Sequence, residues 1–151
     1  MKKILILMII TFSLTGCSNK EEEEKSEYIA MKNNLIKEED YIKKDELPLD
    51  ITIKLNRTSS ELIEYKVILN NPVEDMYKVK AMVVHNYYNE ELFPSIGLFD
   101  EKKDLLKNNE LELKGELKTT ENIANMDLEL KVWIEYYNEL GEKKEIYYKT
   151  T

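Results

Sequence analysis

The 151-residue chain holds one cysteine, Cys17, and one histidine, His85. A single thiol forms no disulfide within the chain and builds no paired-thiolate metal site. A single imidazole excludes a zinc site made of several histidines within one chain. It also means that a serine-histidine-aspartate triad would have to use His85 as its base. Only four glycines are present, at positions 16, 97, 115 and 141, so no glycine-rich loop is available to cradle a phosphate. No Asp-x-Asp-x-Asp-Gly calcium loop occurs. Positive charge is also in deficit: 22 Lys+Arg face 30 Asp+Glu. An acidic chain without a basic patch is a poor partner for nucleic acid, and a poor one for anionic lipid held by charge alone. No cofactor and no metal are therefore expected.

What is present begins with a three-part leader. Lys2 and Lys3 precede an apolar run from Ile4 to Leu14, and small residues follow. That run is shorter than the roughly 20 residues a bilayer span requires. The tetrapeptide Leu14-Thr15-Gly16-Cys17 resembles the lipobox of bacterial lipoproteins. The resemblance implies cleavage between Gly16 and Cys17 and a diacylglyceryl group on the Cys17 sulfur. The mature chain would then sit on the extracytoplasmic face of the cell membrane. Two acyl chains anchor stably where one holds only marginally. The modification would also consume the only thiol.

Three segments are expected: residues 1–16 as a cleaved leader, 17–47 as a lipid-anchored acidic tether, and 48–151 as the globular domain. Polar residues and the run Glu21 to Glu24 predict a solvated coil after Cys17, reaching roughly 30 Å. Within it, Tyr28, Met31, Leu35 and Ile42 fall near helical spacing, Asn33 and Asn34 weaken the pattern, and Pro48 ends it. A short amphipathic helix or a partly ordered linker is expected there.

From Leu49 onward the period is two. Ile51, Ile53 and Leu55 alternate with polar residues, as do Ile63, Tyr65, Val67 and Leu69. The same pattern recurs at Tyr77, Val79, Ala81 and Val83, at Leu111, Leu113, Gly115 and Leu117, and from Leu128 to Tyr136. A last run spans Glu145 to Lys149, and a short strand is expected near Ile96 to Phe99. Asn138-Glu139-Leu140-Gly141 reads as a hairpin turn with Gly141 in a left-handed position. Strict alternation means strands with one buried face. Six or seven of them predict an all-β, antiparallel two-sheet sandwich, immunoglobulin-like or fibronectin-III-like in architecture.

The outward faces are unequal. On the third, fifth and last strands they carry Met82, Val84, Tyr88, Trp133, Tyr137 and Tyr147. If those strands are neighbours, these side chains form one apolar and aromatic patch, of the kind that marks binding surfaces. Two plainer readings compete: the 28–47 segment lies across the patch, or the aromatics only pair across strands. His85 falls on the inward side near a strand end, where a core-edge histidine bonded to backbone is expected rather than a base. The function expected is a non-catalytic binding or accessory module of the cell envelope, with a protein or cell-wall ligand at the Trp133 face. A structural part of an envelope complex and a carboxylate-based envelope hydrolase are the alternatives.

Overall fold

The computed structural model describes residues 16–87, 90 and 92–150, so the run from Ile4 to Leu14 and Tyr88 lie outside the described residues. Among the described residues the chain forms one α-helix, α1 (Gly16–Lys37), then β1 (Asp50–Arg57), β2 (Leu62–Asn70), β3 (Met76–His85) and β4 (Ser95–Ile96). These are followed by β5 (Lys103–Leu105), β6 (Leu111–Lys118), β7 (Leu130–Tyr137) and β8 (Lys143–Lys149). One sheet has the order β1-β2-β6 and the other β4-β3-β7-β8, with β5 paired to β3. All these pairings are antiparallel. The two-sheet sandwich predicted from the alternation is thus present, and β3, β7 and β8 are neighbours in one sheet.

The inward faces are the alternating sets read from the sequence. Ile63, Tyr65, Val67 and Leu69 of β2 are fully buried, as are Val79, Ala81 and Val83 of β3 and Val132 and Ile134 of β7. They share one core with Leu113 and Leu117 of β6 and with Ile146 and Tyr148 of β8. Strand β1 is an edge, and its Ile51, Ile53 and Leu55 are only half-buried against that core. Arg57 staples the loops beyond it: its guanidinium donates to the carbonyls of Ser59, Ser60, Thr119 and Glu121.

One position departs from strict alternation. Tyr77 was expected to point inward with Val79, but Met76 is the buried residue. The register between β3 and both of its longer neighbours shifts here, and Lys78 has φ +52. An extra residue in one strand of a pair reverses the facing on one side of it. The freed Lys78 N–H donates to Asp104 Oδ1 at 2.8 Å, so the bulge leaves no orphan donor there. The 138–141 turn is as expected: Gly141 has φ +75, and Asn138 Oδ1 accepts from the N–H groups of Leu140 and Glu142.

The expected coil after Cys17 is instead the 22-residue helix α1. At 1.5 Å per residue it is about 33 Å long. Its Lys, Glu, Ala, Met and Leu residues are good helix formers, and Lys20 pairs with Glu24 one turn on, at 3.5 Å. Propensity alone rarely holds such a helix in water; an amphipathic face must pack. Tyr28 and Leu35 supply that face, 3% and 0% exposed. The same packing carries the helix through Asn33 and Asn34. At its C-terminal end the Tyr41 hydroxyl donates to the carbonyl of Glu38 at 2.6 Å, satisfying an otherwise open acceptor. The chain then crosses the edge of the sheet, where Ile42 N–H donates to Tyr147 O at 2.9 Å.

Candidate functional site

Three places in the fold concentrate chemistry. The first is the outer face of the β3-β7-β8 sheet. Met82 stands opposite Trp133, which stands opposite Tyr147, so the cross-strand row anticipated from the sequence is real. It is not an open surface. Met82 and Trp133 are 0% exposed and Val84 is 2% exposed. They form a second hydrophobic cluster with Tyr28 and Leu35 of α1 and with Phe93 and Leu98, and Met31 and Tyr147 pack at its margin. The candidate binding face is therefore an internal interface. Met82, Val84, Trp133 and Tyr147 on one sheet face are more stable under the apolar side of a helix than against water, and α1 supplies it. Tyr137 does not belong to the cluster. It is half-buried at the end of β7, with the Lys78 ammonium 5.8 Å from its ring centre.

Polar contacts pin the helix at several points. Lys80 of β3 pairs with Glu27. The Tyr28 hydroxyl accepts from Phe93 N–H at 2.7 Å and donates to Phe93 O at 3.3 Å. The Lys131 ammonium donates to Ile36 O at 2.8 Å, and its charge also lies 5.5 Å from the Tyr41 ring centre. Beneath the helix, Trp133 Nε1 is buried without a hydrogen-bond partner among the described residues. An unmet buried donor offsets part of the gain from packing, by about 1–3 kcal/mol.

The second place is a buried polar cluster at the far end of β3. The Tyr65 hydroxyl donates to Glu90 Oε2 at 2.7 Å, and His85 Nε2 lies 2.8 Å from the same oxygen. Glu90 Oε1 accepts from the backbone N–H of Glu116 at 3.2 Å. Tyr87 N–H donates to His85 Nδ1 at 3.1 Å, so Nδ1 is the acceptor and the imidazole proton sits on Nε2, donated to Glu90. Both ring nitrogens are thereby engaged, and the His85 side chain is 0% exposed. The ring also meets Tyr65 and Phe93 edge-on, with centroids 5.4 and 5.0 Å away. This geometry ties Glu90 to both sheets.

Gly115 makes room for the cluster, because the Tyr65 ring and the Glu90 carboxylate occupy the space a side chain would take. Glu90 also borders a cleft of about 460 Å³, lined by Glu64, Leu92, Lys114 and Glu116 among others. The sequence carried no sign of this meeting. Tyr65 reads as an ordinary inward strand residue, and Glu90 lies in the stretch with no period.

Burial raises the Tyr65 hydroxyl far above the usual tyrosine range, and its hydrogen bond to the Glu90 carboxylate and that charge raise it further. The folded value exceeds the unfolded one, which is about 10. The contribution to stability is thus fully present below about pH 10 and is lost as pH rises beyond it, when the unfolded chain ionises and the folded one resists. Urea unfolding across an alkaline series should show the native chain losing stability above about pH 10 more steeply than Tyr65→Phe. Parallel losses in the two proteins would contradict this assignment.

The third place is a groove of about 600 Å³ between α1 and the 92–99 loop. Ile29, Leu92 and Phe99 line it, with Lys25, Lys32, Glu21 and Glu24 along the helix. Phe99 stacks tilted on Tyr28, with centroids 5.1 Å apart, and the Lys32 ammonium lies 4.9 Å from the Phe93 ring centre. Ile29, Leu92 and Phe99 were not singled out from the sequence, because one lies in the charge-rich helix and two in the irregular loop. Among the described residues no group of three His, Cys, Asp or Glu is placed to hold a metal ion. No protein-family model matches this chain, and no curated protein matches it at a significant level.

Proposed function

We propose that the protein is a lipid-anchored, non-catalytic accessory or binding module on the extracytoplasmic face of a bacterial membrane, tethered through Cys17. The observation that carries this reading is the continuity of α1. Among the described residues the helix spans Gly16–Lys37, includes Cys17, and runs without a break into its contacts with Lys80, Phe93 and Trp133. An acyl group on Cys17 is then joined to the sandwich by a stiff helix rather than by a coil. The domain is held at a set distance from the anchor, which suits a module that presents a fixed surface. Sequestration of His85 supports the non-catalytic part of the reading.

Cys17→Ser tests the anchor. In cells fed an alkyne-tagged fatty acid, the native chain should take up the label and sediment with membranes, and the variant should do neither. Labelling of the Cys17→Ser chain would refute the assignment. A second reading, an envelope hydrolase, draws on one observation: the Glu90 carboxylate reaches the edge of a cleft. It requires hydrolysis of an envelope substrate that disappears in Glu90→Gln while the fold is retained.

A further inference from the structure

Among the described residues, six large apolar side chains are conspicuously exposed: Ile29 47%, Ile36 47%, Val73 73%, Leu92 66%, Phe99 48% and Leu140 82%. Val73 and Leu140 stand singly in separate loops, which is ordinary for a protein surface. The others are organised. Lys25, Ile29, Lys32 and Ile36 follow one another at intervals of four, three and four residues, so they form one stripe along α1. This stripe lies beside the face that Tyr28 and Leu35 bury. Leu92 and Phe99 project from the sandwich into the groove along it. Ile29, Leu92 and Phe99 thus share one groove with Lys25 and Lys32 beside them, and Ile36 extends the helical stripe beyond it.

We propose that these apolar side chains form a membrane-contact strip: α1 lies in the plane of the bilayer, with Ile29, Ile36, Leu92 and Phe99 entering the headgroup boundary. The inference rests on the lipid anchor at Cys17 and deepens it. Ile29 follows Cys17 by twelve positions on the same helix, about 18 Å at the helical rise. A rigid arm of that length, fixed to the bilayer at one end, keeps the strip near the surface. Among the described residues no helix is long and apolar enough to cross a membrane. Lying along the interface is the remaining way for α1 to bring its apolar stripe to lipid. In that position an amphipathic helix buries its apolar face about 5–10 Å into the headgroup and acyl boundary.

Lys25 has a stem long enough to lie along the apolar strip while its ammonium group reaches lipid phosphates, whereas the Lys32 ammonium lies over the Phe93 ring. Glu21 and Glu24 also line the groove, toward the start of the helix. The strip is therefore not uniformly basic, and its attraction is to the apolar interior. Zwitterionic phosphatidylcholine should be enough.

The mature acylated chain, reconstituted in phosphatidylcholine vesicles, provides the test. With Cys17 consumed by lipid, single cysteines introduced as Ile29→Cys, Phe99→Cys and Glu112→Cys can each carry an environment-sensitive fluorophore. Glu112 is exposed on β6, in the opposite sheet, and serves as the control. Phospholipids brominated in their acyl chains should quench the labels at positions 29 and 99 several-fold more than the label at 112. Equal quenching at all three positions overturns the proposal. The intact mass of each purified chain separates the two ideas. A diacylglyceryl increment with equal quenching leaves the anchor standing and removes the contact surface. A chain without the increment removes both. Unchanged emission from Trp133, which lies beneath α1, verifies that each variant keeps the helix docked.

Discussion

Gly115→Ala is expected to destabilise the sandwich by about 3 kcal/mol, most of it from overpacking and a weakened polar cluster. A Cβ on residue 115 would lie 2.4 Å from both Cζ and Oη of Tyr65 and 2.5 Å from Glu90 Oε1. Those atoms belong to side-chain ends, which often move aside at little cost. Here moving aside breaks packing or hydrogen bonds. Tyr65 is 0% exposed, its hydroxyl is bonded to Glu90, and Glu90 is held in turn by His85 and the Glu116 N–H. Displacing the ring breaks into the core, and displacing the carboxylate leaves buried donors unmet. With a typical urea slope, the unfolding midpoint should fall by about 1–2 M. Tyr65→Phe, made in the Gly115→Ala background, removes one of the clashing atoms and should recover part of the loss. Additive effects of the two substitutions would show that the contact is not the cause.

Leu35→Ala is expected to release α1 while leaving the two sheets folded. Leu35 is fully buried, and truncating such a residue costs about 2–5 kcal/mol. The docked helix has few other apolar anchors: Tyr28 is buried and Met31 is partly buried against the same cluster. Each fully buried side chain contributes about 1.5–3 kcal/mol before the cost of ordering is set against it. The unmet Trp133 Nε1 reduces the balance further. Losing Leu35 therefore removes a large share of what holds the helix, and little of what holds the β1-β2-β6 and β3-β7 cores. Trp133 is the only tryptophan, so its emission reports the event directly. The emission should shift to the red, and amides of α1 should exchange faster with those of β2, β3 and β7 unchanged. Loss of protection in helix and sheets together would show that α1 is an inseparable part of the sandwich.

Much of the sandwich was legible because a strand with one buried face writes its period into the chain. Ile63 to Leu69 and Leu111 to Leu117 could be placed on their inward faces from alternation alone. Tyr77 was misplaced because a bulge leaves no mark in composition. It depends on an irregular pairing with β5 and β7 that only the assembled sheet has. A short helix or partly ordered linker was expected from the spacing of Tyr28, Met31 and Leu35, but the extension of α1 back to Gly16 was hidden for another reason. The buried contacts of α1 are essentially Tyr28 and Leu35, two turns apart, within a run of glutamates and lysines that resembles a solvated coil. No apolar period reaches into the glutamate run, yet anchors near the C-terminal half suffice to dock the helix when a complementary apolar face is waiting.

By itself, the sequence determined the antiparallel sandwich, the hairpin at Gly141, and the lack of residues for multi-histidine or thiolate metal sites. These follow from local patterning and from which side chains exist at all. Only the tertiary structure decided that Met82, Val84 and Trp133 are covered, that His85 is locked between Glu90 and a backbone N–H, and that Ile29 meets Leu92 and Phe99. Each of these joins residues far apart in the chain. Which of two apolar surfaces ends up covered depends on the helix that reaches it, and that is settled by burial across the whole molecule rather than by any one segment.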